Sequence, residues 1–225
     1  MSDVPVSDPP GGEQPELGFA HAFEPGTGPD TLLVLHATGG DEHQLMPLAR
    51  RLAPHANLLA PRGKVMEGGT TRRFFARRSM LDLDIDDLML AADELAAFVA
   101  DAVSAYGLDP SRVTALGYSN GANAAVGMLF RHPGVLAGAA LLRPVMPYEP
   151  GEIAPLPDTR VLIAAGTHDA YSSMSATERL GEVLEQTSAD VTINVVEAGH
   201  ELVDRDLLVT AEWLSPASPR AGSAR

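Results

Sequence analysis

Two hydrophobic rhythms alternate between Leu17 and Leu214. The first consists of short, strand-length segments rich in apolar residues, of which Thr31–His36 is a continuous apolar run, the pattern of a strand covered on both faces. These predict strands at Thr31–His36, Asn57–Ala60, Arg112–Tyr118, Gly138–Leu142, Arg160–Gly166 and Val191–Val196, with Leu17–Phe23 as an N-terminal strand. The second rhythm has apolar residues at helical spacing and predicts helices over His43–Leu52, Ile85–Tyr106 and Asn120–His132, and near 172–187 and 201–213. In the longest of these, Leu88, Ala92, Leu95, Val99 and Val103 share one stripe and Gly107 supplies the stop. Residues 61–80 hold Gly and Arg with little periodicity and read as a long loop.

Strands regularly separated by helices predict a single α/β domain over residues 17–214, a mostly parallel doubly wound sheet flanked by helices. Residues 1–16 and 215–225, rich in Pro, Gly and Ser, read as flexible N- and C-terminal tails. Ligands of such sheets bind at the carboxyl ends of the strands, so chemistry is to be sought just after each apolar run.

Composition narrows the chemistry. Of 225 residues, 45% are hydrophobic and 20% charged, which excludes wholesale disorder. Sixteen basic against 30 acidic residues leave a formal charge of −14, which disfavours nucleic acid and anionic lipid surfaces as partners. The chain has no cysteine, so disulfides, thiolate metal sites and a cysteine nucleophile are out. Its seven histidines form neither H-x-H nor H-E-x-x-H, and neither metal nor cofactor is expected. The N-terminal MSDVPVSDPPGGEQPE lacks the basic and apolar regions of a signal peptide. No apolar run approaches the roughly 18 residues of a span. The expectation is a cytoplasmic protein without integral membrane association.

Gly117-Tyr118-Ser119-Asn120-Gly121 matches G-x-S-x-G. A chain of this composition carries the pattern by chance roughly once in nine, so the pentapeptide alone decides little. Its placement decides more. It joins a predicted strand to a predicted helix, where a serine hydroxyl is presented on a tight turn. A serine nucleophile needs a base, and the base an orienting carboxylate. His200 follows the strand ending at Val196, and Asp169 follows the strand ending at Gly166, both at the carboxyl edge. The chain order Ser, Asp, His fits this architecture. His168, beside Asp169, is a rival base, whereas Asp204 and Asp206 read as solvated helix residues. After the strand Thr31–His36, the glycine-rich Ala37-Thr38-Gly39-Gly40 could place an amide at an oxyanion, giving Thr38 and Asn120 as oxyanion-hole donors.

With HATGGDEHQL, APRG, GYSNGA, GTHDAY and AGHEL in order from about residue 30 to 214, the chain resembles the α/β-hydrolase superfamily. Within it, the likeness is to the small serine esterases of the phospholipase/carboxylesterase group, which includes acyl-protein thioesterases. Ala37 stands where these enzymes usually show glycine. The resemblance implies a Ser119–Asp169–His200 hydrolase that cleaves carboxylic esters of small or medium acyl groups through an acyl-enzyme, and the lack of a long insertion between strand and helix in the second half predicts that it has no large lid. Acyl thioesters and lysophospholipids are neighbouring substrates, and a catalytically silent binding module is the alternative from another class. The partner expected is a small-molecule ester, and oligomeric state is left open, a homodimer included. Candidate substrate-binding residues are Phe74, Phe75, Met146 and Tyr171, with Met66 and Val145 as further pocket residues. Arg72 and Arg73, in a cluster with Arg77 and Arg78, could dock a carboxylate or phosphate, or pair with Asp82, Asp84, Asp86 and Asp87.

Overall fold

The computed structural model describes residues 15–215. The tail readings for 1–16 and 215–225 therefore lie almost wholly outside the described residues. Among the described residues, nine strands and five α-helices follow one another. They are β1 (His21–Glu24), β2 (Thr31–Leu35), α1 (Met46–Leu52), β3 (Asn57–Pro61), β4 (Val65–Glu67), β5 (Thr71–Arg73) and α2 (Ile85–Tyr106). After a short 3-10 turn come β6 (Val113–Tyr118), α3 (Asn120–Arg131), β7 (Gly138–Leu142), β8 (Arg160–Gly166), α4 (Met174–Gln186), β9 (Asp190–Val196) and α5 (Asp204–Leu214). Seven strands form one sheet in the order β1-β3-β2-β6-β7-β8-β9. Only β1 runs antiparallel to its neighbour. No helix among the described residues is long and apolar enough to cross a membrane.

Both faces of the sheet are covered over β2, β3, β6, β7 and β8, which is why these strands read as largely apolar runs, whereas the edge strand β9 is mostly exposed. In β2, Leu33 and Leu35 point into a core shared with α2, α3 and α4, while Leu32 and Val34 pack with α1 and α5 on the other face. The long helix has the boundaries its stripe predicts. Asp84 caps it by accepting from the Asp87 amide at 3.3 Å, Asp86 and Asp87 place negative charge in the first turn, and Gly107 ends it at φ 65°.

Two expectations are corrected. The N-terminal strand is His21–Glu24, not Leu17–Phe23, because the chain bends at Gly18 (φ 78°); Leu17 and Phe19 still bury themselves in the core. Residues 61–80 are not a plain loop. Val65–Glu67 pairs antiparallel with Thr71–Arg73, turned by Gly68 and Gly69 at φ 60° and 76°. A glycine pair between extended segments is a hairpin signal.

The strand order positions the site. From β2 the chain goes outward to β3, then returns across β2 to β6, so β2 and β6 are paired with Leu35 opposite Gly117. The turns after β2 and β6 therefore emerge side by side, at the switch point where such sheets bind ligands. The turn after β2 is anchored twice to the segment after β3. His36, 1% exposed, donates from Nδ1 to the Ala37 carbonyl at 2.8 Å and accepts at Nε2 from the Gly63 amide at 2.9 Å. Burial lowers its pKa, consistent with a neutral ring. Glu42 is buried and forked by the Arg62 guanidinium.

The hydrogen bonds from Arg62 hold the Glu42 carboxyl at about 2, against an ordinary 4.5, outweighing the opposing effect of burial. A carboxyl depressed in the folded state contributes stability above its unfolded pKa and loses it as pH falls toward the folded one. Glu42→Gln is therefore expected to melt below the wild type at neutral pH, with the gap closing between about pH 4.5 and 2. Thermal melts across that range check this; a gap that stays constant contradicts it.

Candidate active site

Ser119 sits between β6 and α3 with φ 52° and ψ −111°, a conformation that costs energy for any residue with a side chain and is typical of functional turns. Two glycines make the bend possible by close approach. A Cβ on Gly117 would lie 2.6 Å from the Gly121 carbonyl oxygen, and one on Gly121 would lie 2.1 Å from that of Leu35. The Ser119 amide donates to Leu142 at 2.9 Å, tying the turn to the end of β7.

Asp169 and His200 arrive from neighbouring strand ends, since β8 and β9 pair with Gly166 opposite Val196. His200 Nε2 lies 2.8 Å from Ser119 Oγ, and His200 Nδ1 lies 2.8 Å from Asp169 Oδ2. A carboxylate can only accept, so Nδ1 carries the proton and Nε2 is free to accept from the serine hydroxyl. The Asp169 side chain is 2% exposed, and its other oxygen accepts from the Tyr171 amide at 2.8 Å. The Tyr171 ring stands edge-on to the imidazole at 4.5 Å, and the Tyr118 hydroxyl donates to the His200 carbonyl at 2.9 Å. His168 is exposed, its amide bonded to Ala198, and it takes no part in this relay.

A buried ion pair holds the loop that carries His200. Arg143, just past β7 at φ 53°, and Asp206 both have side chains with 0% exposure. The guanidinium donates to both Asp206 oxygens at 3.0 and 2.7 Å. It also donates to the carbonyls of Gly199 at 3.0 Å and Glu201 at 2.9 Å, one on each side of His200. This corrects the reading of Asp206 as solvated: its position on α5 faces inward because Arg143 meets it there. Arg143 carries the same sequence signal as Asp169, a polar residue directly after an apolar strand.

Thr38 and Asn120 both line the cavity around Ser119. Asn120 opens α3, where an amide has no acceptor within the helix and the dipole favours negative charge. The turn at Thr38 is closed by Gly40 donating to Ala37 at 3.0 Å, and Gly39 donates to Arg72 of β5 at 2.8 Å, while the Thr38 amide has no acceptor among the described residues. Residues at the end of the hairpin brace both positions. Arg73 Nη1 donates to Thr38 Oγ1 at 2.8 Å, and the Phe74 amide donates to Asn120 Oδ1 at 2.7 Å.

The cavity over Ser119 measures about 690 Å³. Val145, Met146, Tyr171 and Arg73 line it. Phe74 and Phe75, 4% and 0% exposed, instead belong to the core under the sheet, because the hairpin turns them inward. Arg72 is also off the cavity, donating to the Gly63 carbonyl at 3.0 Å, and Met66 is an exposed hairpin residue. Met80, Leu81, Leu83 and Ile85 form a wall that periodicity did not reveal. Within the arginine cluster only Arg78 approaches one of the nearby aspartates, Asp84, at 3.7 Å.

No family model matches the chain. A Bacillus subtilis (strain 168) protein named "Putative hydrolase MhqD" is 37% identical over 197 residues, covering 88% of this chain and 98% of that protein. A Bacillus cereus carboxylesterase superposes with a TM-score of 0.84 at 38% identity, over 87% of this chain and 92% of its own. A carboxylesterase from Mesorhizobium loti gives 0.76 at 32% identity, over 89% and 92%. Near-complete coverage at these identities leaves one conclusion: the chain belongs to the carboxylesterase family of the α/β-hydrolase superfamily.

Proposed function

We propose that this protein is a serine esterase that hydrolyses carboxylic esters of small or medium acyl groups through an acyl-enzyme. The observation that carries the reading is the unbroken relay from Ser119 Oγ through His200 to Asp169, with 2.8 Å at both joints. His200 Nε2 takes the hydroxyl proton as Oγ attacks the ester carbonyl, and Asp169 compensates the imidazolium that forms. The Thr38 and Asn120 amides receive the oxyanion, aided by the N-terminus of α3. The imidazolium returns its proton to the departing alcohol. Water, deprotonated by the same nitrogen, then releases the acid and frees Ser119. A silent binding module would have no use for a serine held in a strained turn beneath an aligned imidazole.

A fluorophosphonate probe tests the reading directly, since it phosphonylates only an activated serine. Wild-type protein should be labelled at Ser119, located by peptide mass, and Ser119→Ala should not. Folded wild type that stays unlabelled would refute the esterase.

A further inference from the structure

The inner wall of the cavity holds more positive charge than its own residues compensate. Arg73, 3% exposed, donates from Nε to the Phe75 carbonyl at 3.0 Å and from Nη1 to Thr38 Oγ1 at 2.8 Å. Its one acidic neighbour, Glu67, stands at 3.7 Å from Nη1, beyond hydrogen-bond distance. Arg77 engages only Glu67 Oε1, to which its Nε donates at 2.9 Å, while Oε2, buried and without a hydrogen-bond partner, is the oxygen that faces Arg73. Two guanidiniums thus share one carboxylate on a wall that both line. Burial, reinforced by the nearby charge of Arg77 and opposed by Glu67, lowers the Arg73 pKa. Nη2 of each arginine has no hydrogen-bond partner among the described residues.

A second group points the same way. Asn120 is 1% exposed, and its Oδ1 is fixed by the Phe74 amide, which leaves Nδ2 buried without a partner. A buried N–H left unmet costs free energy that an incoming acceptor recovers. Asp82, the acid that also borders the cavity, is exposed at its mouth, where solvent and salt screen it. With a chain charge of −14, an anion needs a local reason to dock here, and the unmatched guanidinium provides one.

We propose that the ester cleaved at Ser119 carries a free carboxylate in its acid portion, which docks against Arg73 and Arg77. The substrate class is the half-ester of a small dicarboxylic acid. This builds on the esterase reading above. The reaction balances as acyl transfer from the half-ester to Ser119 Oγ with loss of the alcohol, then addition of water to give the dicarboxylate, one further proton and the free serine.

Monomethyl glutarate and methyl valerate form a matched pair, differing by carboxylate against methyl at the far end, and a pH-stat follows both. Charge-assisted hydrogen bonds of this kind predict a preference of about 10-fold or more in kcat/KM for the glutarate in wild type. The preference should shrink toward unity in Arg77→Gln and in Arg73→Met, even if the latter also slows both substrates by releasing Thr38. A uniform loss with the ratio unchanged would show that Arg73 merely braces Thr38 and would overturn the inference. Preference for methyl valerate, or turnover of neither ester by protein that still labels at Ser119, overturns it while the esterase reading stands. Loss of labelling as well sinks both.

Discussion

Replacing Ser119 with alanine is expected to lower kcat by about 10⁶, and His200→Ala to cost about as much, because in the proposed mechanism nucleophile and base act as one unit. The double variant should be scarcely slower than either single one. Asp169→Asn is expected to cost about 10⁴, and the hydrogen bonds say why. One Asp169 oxygen accepts from the Tyr171 amide and the other from His200 Nδ1. The single carbonyl of asparagine must stay with the Tyr171 amide, which can only donate. Its NH2 group then faces His200 and forces the proton onto Nε2, where it can no longer accept from Ser119. Initial rates on a chromogenic ester, with melting temperatures as a folding control, measure these effects. Additive losses in the double variant would show that Ser119 and His200 do not work together.

The sheet was legible because burial on both faces leaves its mark residue by residue, as in Thr31–Leu35 and Gly138–Leu142. The Ser119, Asp169 and His200 positions were legible for a related reason. The fold rule that places ligands at strand ends turns a one-dimensional pattern into a shared edge. What escaped depends on direction rather than position. Phe74 and Phe75 lie next to the site in sequence, but the β4–β5 hairpin twists them into the core, and nothing local records that twist. Asp206 sits on a helix with charged neighbours and reads as exposed; only Arg143, 63 residues away in the chain, makes its burial sensible. Exposed Met80 and Leu81, which line the cavity, lie between the basic Arg77-Arg78 pair and the acidic run from Asp82, with no periodicity to mark them.

Arg143→Met is expected to destabilise the protein by about 3–5 kcal/mol, since it leaves the Asp206 carboxylate buried and unpaired. That loss alone would not separate architecture from function, because Arg143 also brackets His200 through the Gly199 and Glu201 carbonyls. The double variant Arg143→Met/Asp206→Leu makes the separation. Replacing both partners of a buried pair by apolar residues is often neutral for stability, so its melting temperature should recover most of the way. Its activity should not, because neither new side chain can donate to those carbonyls. A loop displaced by about an ångström costs on the order of 10² in rate, and the deficit should fall on kcat and on the fluorophosphonate labelling rate rather than on KM. Arg143→Lys, which keeps the charge but has one nitrogen instead of a planar fork, should land between wild type and the double variant in kcat. A double variant that recovers both stability and wild-type kcat would reduce Arg143 to a structural role, and the position of His200 would then have to be explained by the Tyr118 hydroxyl, the Asp169 carboxylate and the Tyr171 ring.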